Sequence, residues 1–75
     1  MTKNIIETQL NERKIKIENT KLSIKHIELL IAYCLSNIDT YNNVTCSLWC
    51  IHEDLYIEYE YHLSEYDKLF ILLML

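Results

Sequence analysis

The stretch LYIEYEYHL, residues 55–63, decides how this chain is expected to fold. Taken at period two, it puts Leu55, Ile57, Tyr59, Tyr61 and Leu63 on one face and Tyr56, Glu58, Glu60 and His62 on the other, the pattern of a half-buried strand. Residues 44–52 alternate in the same way, with Val44, Cys46, Leu48 and Cys50 opposite Thr45, Ser47, Trp49 and Ile51. Residues 68–75 form a short apolar run compatible with a third strand, so 44–75 is expected to be a β-meander. Upstream, residues 13–18 alternate Ile15 and Ile17 with Lys14, Lys16 and Glu18, which suits a further strand.

Between these lies a helix over residues 23–38. Ile24, Ile27, Leu30, Ile31, Cys34, Leu35 and Ile38 recur at steps of three and four, Ser23 stands where an N-cap belongs, and residues 39–43 cluster turn formers. Residues 3–12 read equally as helix or strand. The expected architecture is a single α+β domain over residues 1–75: about four antiparallel strands covered by one amphipathic helix. One short helix covers only one face of such a sheet, and the run from Leu69 to Leu75 leaves apolar side chains on the other, so a homodimer is expected, with Phe70, Leu72 and Met74 at its interface.

The rival architecture is an all-α helical hairpin. Leu10, Ile17, Ile24, Ile31 and Ile38 fall at strict seven-residue spacing, and the chain contains neither Gly nor Pro to interrupt a long helix. The C-terminal half also threads as a helix through Leu48, Ile51, Leu55, Tyr59, Leu63 and Tyr66. Against the hairpin stand Arg13 and Thr20 at positions that should be apolar, the poor helix formers Asn19, Thr20 and Ser23, and a second stripe, Ile15, Leu22 and Leu29, on the opposite side.

At 75 residues a lone core is marginal without a disulfide, a metal or a partner. Three cysteines are an odd number and the chain opens with no signal-peptide pattern, so a reduced, cytoplasmic setting is expected, inside a host cell if the chain is viral. No apolar run approaches the ~20 residues that span a bilayer. Residues 1–37 carry six Lys/Arg and four Asp/Glu, net +2, whereas residues 38–75 carry Lys68 against seven acids, net −6. Phosphate backbones would repel that second half.

No residue cluster makes a convincing catalytic or metal site. Cys46, Cys50 and His52 have tempting spacing, but on a strand the two thiols would lie about 13 Å apart, against the roughly 4 Å that a shared zinc demands. His26, Cys34 or His62 would also have to converge on them. Cys50 with a histidine, or Glu58 with Glu60, could be a nucleophile–base or carboxylate pair, yet no glycine is present to build a nucleophile elbow or phosphate loop. Neither enzyme activity nor a cofactor is expected. The expected functional surface is instead acidic and tyrosine-rich: Glu53, Asp54, Tyr56, Glu58, Glu60 and Asp67, facing a basic protein surface.

The segment YIEYEYHLSEYDKLFILLM, residues 56–74, resembles the C-terminal hairpin of small anti-CRISPR proteins from rod-shaped archaeal viruses, which inhibit type I-D interference. The matching positions are Tyr56, Glu58, Glu60, Asp67, Lys68 and Phe70, with Trp49 similar to a tryptophan upstream. The resemblance implies a dimeric, helix-covered antiparallel sheet that binds the large subunit of a host effector complex without catalysis. Two other classes fit the residues: a small DNA-binding regulator using Lys14, Lys16, Lys21 and Lys25, and a viral structural or assembly protein that self-associates through its apolar C-terminus.

Overall fold

The structure, a computed structural model, describes residues 2–36 and 43–75. It contains two long helices, α1 at Lys3–Ser36 and α2 at Asn43–Met74. A helix of 34 residues is about 51 Å long at 1.5 Å per residue, and the molecule measures 56 × 14 × 13 Å, so the two rods lie side by side along their whole length. Their order is antiparallel: Arg13 of α1 meets His62 of α2, and Glu28 meets His52, one number rising as the other falls. The architecture is the helical hairpin.

The α+β expectation is therefore overturned, and no strand exists among the described residues. Residues 13–18, expected as a strand, lie inside α1. So do residues 3–12, and the helix expected over 23–38 is its C-terminal part, with Asn37 and Ile38 outside the described residues. The meander expected over 44–75 is α2, of which only Leu75 falls beyond the helix. The turn expected over 39–43 lies outside the described residues up to position 42, and Asn43 opens α2.

A single pattern builds both helices. Apart from Gln9, the buried and half-buried residues of α1 are Ile6, Leu10, Arg13, Ile17, Thr20, Ile24, Ile27, Ile31 and Cys34, alternating steps of four and three. On α2, apart from Leu63 and Glu65, they are Thr45, Leu48, His52, Leu55, Tyr59, His62, Tyr66, Leu69 and Leu73, again in threes and fours. These are the a and d positions of a heptad, the seam along which two helices pack at a period of 3.5. With Leu10 and Tyr59 both at position a, every other residue takes a letter from b to g.

The features that argued against the hairpin are absorbed by it. Thr20 sits in the seam with its hydroxyl donating to the Lys16 carbonyl at 2.8 Å, so its burial leaves no orphan oxygen. Ser23 is no cap; its hydroxyl bonds back to the Asn19 carbonyl at 3.1 Å in mid-helix. The cap is Thr2, whose Oγ1 accepts from the Ile5 amide at 3.4 Å. The second stripe, Ile15, Leu22 and Leu29, occupies position f and is exposed, facing away from α2. Alternation over residues 55–63 misleads because apolar side chains of α2 are not confined to its seam: Leu55 and Tyr59 line the seam, while Ile57 and Tyr61 point outward, 62 % and 54 % exposed.

Two packed rods make a thin core. Buried apolar residues number five among those described, Ile6, Leu10, Ile24, Ile31 and Cys34, and none is fully sealed from solvent. Among the described residues, eighteen large apolar side chains stay exposed. The radius of gyration, 16.9 Å, compares with about 11 Å for a compact domain of this length.

Candidate functional site

The seam holds two polar crossings. Arg13 Nη1 lies 2.9 Å from His62 Nδ1, and His62 Nε2 lies 3.4 Å from Glu58 Oε1, a chain of three groups centred on a buried histidine. The Arg13 guanidinium also stands over the Tyr61 ring, 5.4 Å from its centroid. Toward the helix connection, His52 Nε2 faces Glu28 Oε2 at 3.6 Å, an ion pair when the ring is protonated but too long for a hydrogen bond. These crossings pin the register of α1 on α2, as polar groups in a coiled-coil seam do.

A ladder of rings runs beside them. Trp49 meets His52 edge-on with centroids 5.5 Å apart, His52 leans on Tyr56 at 4.9 Å, and Tyr56 meets Tyr59 at 6.5 Å. Beyond Leu63, Tyr66 stacks on Phe70 at 6.4 Å. The steps alternate three and four because the ladder climbs between the a row of α2 and its e row, Trp49, Tyr56, Leu63 and Phe70. In antiparallel helices the two e rows flank the same side of the seam. The e row of α1, Glu7, Lys14, Lys21, Glu28 and Leu35, is therefore the facing wall of a groove.

Three clefts mark this groove. One of about 320 Å³ lies between Leu10, Lys14, Tyr66 and Phe70; another of about 330 Å³ between Lys21, Ile24, Tyr56 and Tyr59; the third, about 450 Å³, between Ile31, Leu35, Trp49 and His52. All three open on the same side of the hairpin. Their floors are seam residues and their rims are rings from α2 opposite side chains from α1. Such a surface accepts an apolar ridge; it holds no nucleophile–base pair.

The residues expected to form one acidic sheet face are distributed differently. Glu53, Glu60 and Asp67 fall at seven-residue spacing and form a row beside the ring ladder, each four residues after Trp49, Tyr56 or Leu63. Tyr56 belongs to the groove rim, Glu58 lies on the opposite flank with His62, and Asp54 points outward. Phe70 and Met74 share the groove side, whereas Leu72 is on the other flank; all three are exposed. Lys14, Lys21 and Lys25 line the α1 wall, and Lys16 faces the far side with Glu58 and His62. The groove itself was missed. Its signal was the spacing of Trp49, Tyr56, Leu63 and Phe70, seven residues apart.

Cys46 and Cys50 lie one turn apart on a helix rather than spread along a strand, and both are exposed, while Cys34 is buried. No group of three or more metal-ligating side chains exists among the described residues. No described helix is long and apolar enough to cross a membrane. No family model, curated protein or solved structure matches this chain.

Proposed function

We propose that this chain is a non-catalytic interaction module that works by receiving another helix along the aromatic groove between α1 and α2. The observation that carries it is the ring row Trp49, Tyr56 and Phe70, large apolar side chains held 42–50 % exposed on one side of the hairpin, in line with Leu63. Tyr and Trp in such a row supply contact area with few rotamers to freeze, and an amphipathic helix presents its anchors at the same three- and four-residue steps.

The inhibitor role implied by the anti-CRISPR resemblance loses the surface through which it was to act, since Glu53, Glu58 and Glu60 do not share a sheet face. What carries over is protein binding without catalysis. The DNA-binding alternative gains little support: Glu18 interrupts the lysines of the α1 wall, and Lys16 is on the other flank.

The test is site-specific photocrosslinking of the full chain in expressing cells, with a photoreactive side chain at position 56 or, as control, at position 22. Adducts are expected from position 56 and not from position 22. Adducts from position 22 alone would discard the groove as the working surface.

A further inference from the structure

The chain exposes 5875 Å², whereas a compact monomer of 9.1 kDa exposes roughly 4,900 Å². The surplus, roughly 1,000 Å², compares with the ~800 Å² that each partner buries in a standard protein interface. The α2 rim of the groove, Trp49, Tyr56, Leu63 and Phe70, is apolar, and a hairpin only two rods thick has no layer to cover it.

We propose that the occupant of the groove is a second copy of this chain, with α1 of one copy packed against α2 of the other to close an isologous four-helix bundle; this rests on the groove being the working surface. Charge selects that pairing. The α1 wall carries Lys14, Lys21 and Lys25 in its middle, with Glu18 among them and Glu7 and Glu28 toward its ends, while the outer edge of the α2 wall carries Glu53, Glu60 and Asp67 and no lysine. A bundle that set α2 against α2 would bring the acidic rows together, and one that sets α1 against α2 brings lysines to Glu53 and Glu60.

Register supports the same choice. Within the chain Arg13 is level with His62 and Glu28 with His52. A two-fold axis parallel to the helices preserves those levels between copies, so that Lys14 comes level with Glu60 and Lys25 with Glu53. Among the described residues, none of these four is engaged in an ion pair within the chain. Each neighbour in the resulting bundle is antiparallel, the arrangement four-helix bundles favour.

Sedimentation equilibrium of the purified full chain over a concentration series is expected to give twice the monomer mass. Lys25→Glu should weaken the dimer roughly three- to tenfold at low salt, a reversed rim pair costing more than a deleted one. The swap Lys25→Glu with Glu53→Lys should restore most of that loss, with circular dichroism checking that both variants stay helical. A wild-type chain that sediments as a monomer throughout overturns the second copy as occupant. Position 56 would then still crosslink to another protein if the groove is the working surface, and to nothing if it is not. A dimer that the swap fails to restore overturns the pairing of α1 with α2.

Discussion

Arg13 and His62, 49 residues apart in the chain, meet at 2.9 Å across the seam, each at a position where a coiled coil ordinarily places an apolar side chain. Their contact is half-buried, and removing one partner strands the other. Arg13→Leu should therefore lower stability by about 1–3 kcal/mol, the cost of an unsatisfied buried polar group. Replacing both with leucine fills one seam layer with hydrocarbon and should give a chain as stable as the wild type or more so, because polar pairs in a core rarely outperform well-packed apolar ones. Urea unfolding at fixed protein concentration measures both variants. A double variant showing the sum of the Arg13→Leu and His62→Leu losses would mean that the two side chains are not coupled and that their contact contributes nothing of its own.

The two apolar stripes of α1 should respond in opposite ways. Ile24 is 5 % exposed in the seam, and Leu22, two residues earlier, is 53 % exposed on the far side. Ile24→Ala should cost about 2–5 kcal/mol, toward the lower end because a seam one layer deep relaxes around a cavity. Leu22→Ala should stay within about 0.5 kcal/mol of the wild type. Equal losses at the two sites would contradict the placement of both stripes.

Those stripes also show why the fold was only half legible in the sequence. The heptad of Leu10, Ile17, Ile24 and Ile31 and the lack of Gly and Pro pointed to the hairpin, and both features are what the helices use. Arg13 and Thr20 break the apolar seam; the Thr20 hydroxyl is satisfied locally by the Lys16 carbonyl four residues back, whereas nothing near Arg13 in the sequence reveals that His62 will accept from it. On α2 the failure was different. A helix apolar on its seam, its groove rim and much of its outer face has apolar residues at almost every step, so period two and period 3.5 both fit residues 55–63. That excess of apolar surface is itself the trace of the groove, which belongs to no single helix and becomes visible only when the e rows of α1 and α2 are set side by side.

Thr45 offers a gain in stability. Its side chain is 3 % exposed and its Oγ1 has no hydrogen-bond partner among the described residues, in the first turns of α2 where it takes a seam position. Valine has nearly the same shape without the hydroxyl. Thr45→Val should raise stability by about 1 kcal/mol by removing an unpaired buried oxygen, a gain read as a higher urea midpoint with an unchanged slope. A loss of stability would show that the hydroxyl is hydrogen-bonded in solution.

The cysteines report the same register by chemistry. Cys34 is 6 % exposed at a seam position, whereas Cys46 and Cys50 lie in the open on α2. Thiolates react only when reagent reaches them, so access dominates their relative rates here. Brief alkylation of the native chain should add two labels, and the third should appear only in denaturant or on the slow timescale of seam opening. Mass spectrometry of the labelled fragments assigns the sites. An alternating strand would have put Cys46 and Cys50 together on its buried face and slowed both. Fast labelling at these two with protection at Cys34 is thus the pattern that a heptad-packed hairpin produces and a meander does not, and early modification of Cys34 would remove the seam from this part of α1.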